Sequence, residues 1–314
     1  MRFFKRARKT EGWLATAFLG DGVAAASIKR QAGSKPVVEL ALFFPGDKAP
    51  APEALEKAGK EMRANSYQCT TLLAGGEYQM LVVDAPNVPP EELKTAIRWR
   101  LKDMLDFHID DATIDVADMP VDKNAAVPTH SMFAVAARNG VIEQRQNLFA
   151  AAKIALSVIE IPEMAQRNIS ALLAPEGRGL AMLSFGADGG LLTVTFNGEL
   201  YLSRRIDVAL GQLLEADHDR KHASFDKITL ELQRSLDHFD RQFHFINVSK
   251  LVLAPTGASG LDEYLSSNLY MPVESMDLAD VLDLGKAPEL ADLVQQQRFF
   301  LTLGAALRHE EAAL

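Results

Sequence analysis

The few residues in this sequence that could do chemistry lie in glycine-rich turns. The stretch MLSFGADGGLLTVTFNGELYLSRRI, residues 182–206, runs an apolar strand into such a turn, with Ser184, Gly186, Asp188 and Gly189 in or beside it. Glycines there let backbone N–H groups approach an anion, and a neighbouring carboxylate can hold Mg²⁺ directly or through water. An ordinary β-hairpin has the same look, and Asn197-Gly198 is a type I′ signal for a returning strand. A second turn, Gly20-Asp21-Gly22, separates GWLATAFLG (12–20) from GVAAASIKR (22–30). A third small-residue loop, APTGASG, carries Gly257 after the apolar strand KLVL.

Other chemistry is sparse. The sequence holds no G-x-S-x-G, H-E-x-x-H or G-x-x-x-x-G-K-[ST] pattern. His218 and His222 lie four apart, but in the polar, loop-like context EADHDRKHAS with no thiolate near. A closed metal site takes three or four converging ligands, so none is expected. Cys69, the single cysteine, sits in an expected strand beside Thr70 and Thr71 and reads as a small buried residue rather than a nucleophile.

Composition narrows the function classes. The chain has 314 residues, 48% of them hydrophobic, with a net charge of −9. That balance argues against broad nucleic-acid binding, which needs a basic surface. The best candidate for a membrane span, NLFAAAKIALSVIEI, is too short and contains Lys153. The start, MRFFKRARKT, is strongly basic and lacks the apolar core of a secretory signal. It reads as a solvated tail or, in the sharper reading, as a peripheral contact with an anionic membrane surface.

The elements that must position the turns follow from periodicity. Leu55, Ala58 and Met62 predict a helix over 51–65, and the residues around Gly75-Gly76 predict two strands over 69–86. NVPPEELKTAIRWRLKDMLDF (87–107) predicts a helix, with prolines and glutamates at its start and a stripe of Leu93, Ala96, Ile97, Leu101, Met104 and Leu105. Trp99, between Arg98 and Arg100, reads as a packing residue or as a partner-facing anchor. Strands at 112–121 and 130–138, a helix at 140–154, a strand at 156–161 and a helix at 162–174 follow. Phe225, Ile228, Leu232, Leu236, Phe239 and Phe243 predict a long helix over 224–243, and RFFLTLGAALR a final one over 298–308. The pattern is a strand hairpin, then helix and strand, twice over. It suggests two α/β halves with a cleft between them.

Taken in order, these segments resemble the PilM family of type IV pilus assembly proteins, actin-like proteins related to the division protein FtsA. The resemblance is carried by VVDAPNVPPEELKTAIRWRLKDMLDFHIDDATIDVADMP (82–120), FAVAARNGVIEQRQNLFAAAKIALSVIEIPEMAQ (133–166), LSFGADGGLLTVTFNGELYLSRRI, ITLELQRSLDHFDRQF with KLVLAPTGASGLDEYLSSNLYMPVE, and LTLGAALR. It is closest to the divergent branch that serves mannose-sensitive haemagglutinin (MSHA) pili. It implies an α/β, actin-like (ribonuclease H-like) duplicated two-domain fold, with a small α+β inserted subdomain and a reduced second half. The expected parts are a basic tail (1–11), a first half (12–85 with 138–176), the subdomain (86–137), a shortened second half (177–308) and a tail (309–314).

The resemblance also implies where a nucleotide would sit, and there the sequence departs from the family. The phosphate and adenosine loops would be Gly20, Asp21 and Gly22, then Ser184, Gly186, Asp188 and Gly189, then Gly257. The family's second loop begins Asp-x-Gly, but here it is Ser184-Phe185-Gly186. Asp21 is out of the usual register, Pro255 interrupts the adenosine loop, and only about twenty residues separate Arg205 from Ser224. No enzyme activity and no cofactor are therefore expected, with ATP and Mg²⁺ the disfavoured alternative. The implied function is a non-enzymatic scaffold at the cytoplasmic face of the inner membrane. It would bind the cytoplasmic N-terminal tail of a PilN-like single-span membrane protein and other pilus platform proteins, but no nucleic acid. Leu93, Ile97, Trp99 and Arg100 of the subdomain are the contact candidates. The alternative is an active actin-like ATPase that switches or polymerises with ATP. A third reading, the cytoplasmic domain of a GspL-like type II secretion protein, is disfavoured because no transmembrane segment follows.

Overall fold

The computed structural model describes residues 12–31, 33–46, 51–120 and 130–309. The basic stretch 1–11, with the membrane contact expected of it, and residues 310–314 lie outside those. The first part of the chain runs β1 (Trp13–Leu19), β2 (Gly22–Lys29), β3 (Val37–Pro45), α1 (Pro52–Glu61), β4 (Gln68–Leu72), β5 (Tyr78–Asp84), α2 (Pro90–Leu101), β6 (Ala112–Asp118), β7 (Ser131–Arg138), α3 (Asn139–Ala151), β8 (Leu156–Glu160) and α4 (Pro162–Leu173). The second part runs β9 (Gly179–Gly186), β10 (Gly189–Phe196), β11 (Glu199–Ile206), α5 (Leu210–Leu213), α6 (His218–Gln242), β12 (Val248–Leu253), α7 (Leu261–Asn268), β13 (Val273–Ser275) and α8 (Leu293–Ala306).

Two five-stranded sheets share one design. The first has the order β3-β2-β1-β4-β8 and the second β11-β10-β9-β12-β13. In each, an antiparallel three-strand meander is extended by two parallel strands. The second sheet has the same number of strands as the first, five. Alternation decides what each face meets. Leu14, Val23 and Ala25 pack with Leu55, Ala58 and Phe149 of α1 and α3. Ala15, Ala17, Ala24 and Ala26 turn to the other face, where small side chains let a helix lie close.

The inserted subdomain is a three-stranded sheet, order β5-β7-β6. Ile97 and Leu101 of α2 pack on one of its faces with Val83, Met132 and Ala134. Phe133 and Met119 on the other face join the core of the second half, with Leu213. This moves the expected boundary at 85/86. β5 pairs with β7 from Tyr78↔Ala137 to Asp84↔Ser131, so the subdomain begins after β4. The two strands expected around Gly75-Gly76 are β4 and β5, and they belong to different sheets, so the glycines lie in a link between sheets. Two helices also start earlier than their apolar repeats suggest. The Asp217 carboxylate accepts from Asp219 N and Arg220 N at the start of α6, and Asp292 accepts from Val294 N at the start of α8.

The halves are tied by an exchange of helices. α4 closes the first half yet packs on β9, β10 and β11, and α8 closes the second half yet packs on β1 and β2. One core cluster therefore joins Ala15 and Ala24 to Leu180, Met182 and Val252 through Ala165, Ile169, Phe299 and Leu303. The two helices touch at Gly304, where an added Cβ would stand 2.3 Å from the Ala165 carbonyl oxygen. Asn168 Nδ2 donates to Gly304 O at 3.0 Å across the same contact. The end of α8 is held by Arg30, which donates to Leu307 O from Nε at 3.2 Å and from Nη2 at 2.5 Å. Gly304→Ala should lower stability by about 1–3 kcal/mol or prevent folding, because backbone blocks the new methyl. An unchanged denaturation midpoint would mean that the helices do not cross there.

Candidate functional site

The two glycine turns occupy equivalent places in their sheets. Leu19 pairs with Gly22 around Gly20 and Asp21, and Gly186 pairs with Gly189 around Ala187 and Asp188. Asp21-Gly22 and Asp188-Gly189 therefore correspond, one pair in each half. The glycines are required by the third strand of each meander. At φ +153° a Cβ on Gly22 would meet Phe44 O at 2.2 Å, and at φ +118° one on Gly189 would meet Ile206 O at 2.7 Å.

Both carboxylates are engaged by the protein itself. Asp21 Oδ2 accepts from Arg298 Nη2 of α8 at 3.0 Å, and that guanidinium lies over the Phe43 ring at 4.1 Å. Asp188 Oδ2 accepts from the backbone N–H of Gly75 at 3.1 Å, which ties the second turn to the link between β4 and β5. Ser184 is not an open loop residue. It is buried in β9 and donates to Gln166 Oε1 at 2.5 Å. Gln166 Nε2 in turn donates to Met182 O at 2.9 Å, Leu191 O at 3.1 Å and Thr193 Oγ1 at 2.9 Å. That fixes the amide so that its oxygen, not its nitrogen, faces Ser184.

One face of α8 borders all three expected loops. Arg298 reaches the first turn, and Gln297 Nε2 donates to Phe185 O beside the second at 3.0 Å. Val294 stands 4.0 Å from where a Cβ of Gly257 would lie. The third loop is closed on itself: Pro255 is buried, and the Thr256 hydroxyl accepts from Ala258 N at 3.0 Å.

Beside the second turn lies a polar triad, two of its members buried and the third, Arg205, reaching the surface, that the sequence reading did not single out. Glu163 opens α4 and is 2% exposed. Its carboxylate accepts from Tyr78 OH of β5 and, at 2.9 Å, from Arg205 Nη2 of β11. Arg205 also donates to the Tyr78 oxygen. The triad thus joins subdomain, crossing helix and second sheet. Burial first, and then the Glu163 charge, push the Tyr78 phenol well above its ordinary range. Burial works against the Arg205 charge, but Glu163 and Tyr78 outweigh it and hold the guanidinium above its usual value. A second pair, Arg145 to Glu77, anchors the same link, with Arg145 4.6 Å from the Phe18 ring centroid. The sequence signal was there in PEMAQ: Glu163 and Gln166 are polar residues on the buried side of a helix.

The subdomain candidates separate. Ile97 is fully buried and cannot meet a partner, and Leu93 is half-buried against the same core. Both belong to the stripe that holds α2 on its sheet. Trp99 is 72% exposed, with Lys102 Nζ 6.0 Å from its ring. Arg100 Nη1 donates to Asp84 O at 3.0 Å, at the end of β5. Cys69 is buried, its thiol directed at Ala64 O. His218 and His222 lie on the first turns of α6 rather than in a loop, with ring centroids 4.5 Å apart. Among the described residues no group of three or more His, Cys, Asp or Glu is placed to hold a metal ion, and no helix is long and apolar enough to cross a membrane.

The fold is that of the actin-like ATPases. The sequence matches no family profile and no curated protein. Among solved structures, the chain is similar to one in a PilM–PilN type IV pilus biogenesis complex, with a TM-score of 0.75 and 19% identity over 95% of this chain and 98% of that one. It is also similar to the cytoplasmic domain of EpsL, an inner-membrane component of the type II secretion system of Vibrio cholerae. There the TM-score is 0.51 and identity 13%, over 96% and 97% of the two chains.

Two outcomes follow from the site. Ser184→Asp should destabilise the protein by more than about 2 kcal/mol, since a buried carboxylate would face the Gln166 carbonyl, whereas Ser184→Ala should cost only about 1 kcal/mol. Chemical denaturation of the two variants checks this order. The raised Tyr78 pKa means that the unfolded chain releases the phenolic proton near pH 10 while the folded chain keeps it. Its contribution is thus complete below pH 10 and declines as pH rises further. Tyr78→Phe should have a shallower alkaline loss of stability than the wild type.

Proposed function

We propose that this chain is a non-enzymatic scaffold of a type IV pilus assembly platform, of the MshI type that serves MSHA pili. It docks the cytoplasmic N-terminal tail of a PilN-like inner-membrane protein on its three-stranded subdomain, at the cytoplasmic face of the inner membrane. The observation that carries the reading is the state of the two turns. Asp21 is paired with Arg298, Asp188 with Gly75, and Ser184 with Gln166. Mg²⁺-nucleotide chemistry needs carboxylates that can turn to the metal, directly or through water. A docked peptide needs backbone partners and an apolar anchor, and no catalytic group. The likeness to a chain of a PilM–PilN complex over nearly the full length of both supports the choice of partner class.

On the subdomain, Trp99 is the anchor and Arg100, fixed on the end of β5, its polar neighbour. Ile97 and Leu93 serve the fold beneath them. An extended peptide crossing α2 would cover the indole, the largest exposed aromatic surface of this helix.

Calorimetric titration with ATP and Mg²⁺ should give no heat, and small-angle scattering should not change. Micromolar ATP binding would instead favour a nucleotide-gated actin-like ATPase. A synthetic peptide of the partner's cytoplasmic tail should bind, and Trp99→Ala should weaken it by more than about tenfold without shifting the melting temperature. Equal affinity of the two proteins would remove Trp99 from the interface.

A further inference from the structure

Two Asn-Gly pairs stand in the sequence, Asn139-Gly140 and Asn197-Gly198. Such a pair carries a latent reaction. The backbone nitrogen of the glycine, with no Cβ beside it to hinder approach, can attack the side-chain amide carbon of the asparagine. A five-membered imide forms and ammonia leaves. Water then opens the imide at either carbonyl. One opening leaves aspartate, and the other leaves isoaspartate, whose main chain runs through Cβ. The fold treats the two pairs in opposite ways.

Asn139 opens α3. Its Oδ1 accepts from Thr113 Oγ1 at 2.8 Å, and its Nδ2 donates to Asp110 O at 3.1 Å. Both ends of the amide are held, and the helix fixes the peptide that follows it. Asn197 instead sits at the exposed tip of the β10–β11 hairpin, at the end of the meander away from Asp188. Its side chain forms no hydrogen bond among the described residues. Phe196 pairs with Glu199, so Asn197 and Gly198 are the whole loop, with φ of 51° and 80°. A Cβ on Gly198 would meet nothing within 4 Å, so this peptide has room to turn. Type I′ and type II′ turns share a positive φ at the first central residue and differ at the second. Turning the one peptide plane between Asn197 and Gly198 therefore carries the nitrogen toward the amide carbon while Phe196 and Glu199 stay paired. Glycine accepts the negative φ that this turn requires.

We propose that Asn197 is a site of spontaneous deamidation in the folded protein and that Asn139 is protected from it. Hydroxide takes the Gly198 N–H proton, and the freed nitrogen bonds to Asn197 Cγ. The Cγ–Nδ2 bond breaks, and Nδ2 takes a proton from water and leaves as ammonia. Hydrolysis of the imide completes the exchange of ammonia for water. The product places a new carboxylate beside Glu199, which pairs with Arg167 of α4 at 3.4 Å. Its isoaspartyl form also adds a backbone atom to a loop of two residues. That form is a substrate for methyltransferases that move the methyl group of S-adenosylmethionine onto an isoaspartyl carboxylate oxygen.

The test is incubation of the full chain at mildly alkaline pH, folded in buffer and unfolded in urea. Mass spectrometry follows the peptides that carry residues 139 and 197. An isoaspartyl methyltransferase with labelled S-adenosylmethionine reads the isoaspartate. In the folded chain Asn197 should convert about tenfold or more faster than Asn139, whose reaction must first break two hydrogen bonds and the start of a helix. In urea the two pairs should convert at similar rates, because only the fold distinguishes them. Asn197→Gln should remove most of the methyl label from the folded protein, since its longer side chain would have to close a larger and slower-forming ring. Equal rates at the two sites in the folded chain would overturn the proposal. So would an Asn197 that converts in urea but not in the folded chain, because the hairpin would then hold its peptide plane fixed. Label that persists undiminished in the Asn197→Gln protein would place the reaction elsewhere. The mixture contains no partner and no nucleotide, so the outcome is independent of the peptide-docking reading.

Discussion

The structure depends on the crossing of α4 and α8. Each helix ends one half of the chain and covers the sheet of the other, and the two meet where a glycine lets backbone touch backbone. Without that contact neither sheet has a complete core. The alanines of β1 and β2 are shaped for α8, and Leu180 and Met182 of β9 for α4. The same crossing brings α8 to both hairpin turns, through Arg298 at the first and Gln297 beside the second. A single close approach thus fixes the spacing of every loop that could face a ligand.

Around that crossing, polar contacts hold the turns to the rest of the protein. The first turn is bound to α8 through an ion pair, and the second to the subdomain link through a backbone N–H. The Glu163 triad adds a buried connection among three parts of the molecule. Removing Arg205 would leave the buried Glu163 carboxylate without its cation, which costs far more than an exposed pair is worth. These are the features of a body that keeps its parts in one arrangement.

Much of the fold was legible in the sequence. The hairpins announced themselves through Gly20-Asp21-Gly22 and Asn197-Gly198, and Asn197 and Gly198 indeed carry φ of 51° and 80°, as a type I′ turn needs. The stripe of α2 was legible too, and it contained its own correction. Ile97 and Trp99 lie two residues apart, on opposite sides of a helix, so both could not face a partner. What the sequence did not reveal was pairing at a distance. β4 and β5 were both legible as strands, but a strand's own residues do not name its neighbour, and the two join different sheets. The partners of Asp21, Asp188 and Ser184 lie up to 277 residues away. Only the folded chain shows that these side chains are already taken.

The exchange of helices also sets an order of events at the ribosome. β1 and β2 emerge first, but the helix that covers their alanine face ends at Ala306. At about 5–20 residues per second the wait is on the order of 15–60 s. Over that interval an apolar sheet face has no native cover. The first half therefore completes its core only once α8 has been made.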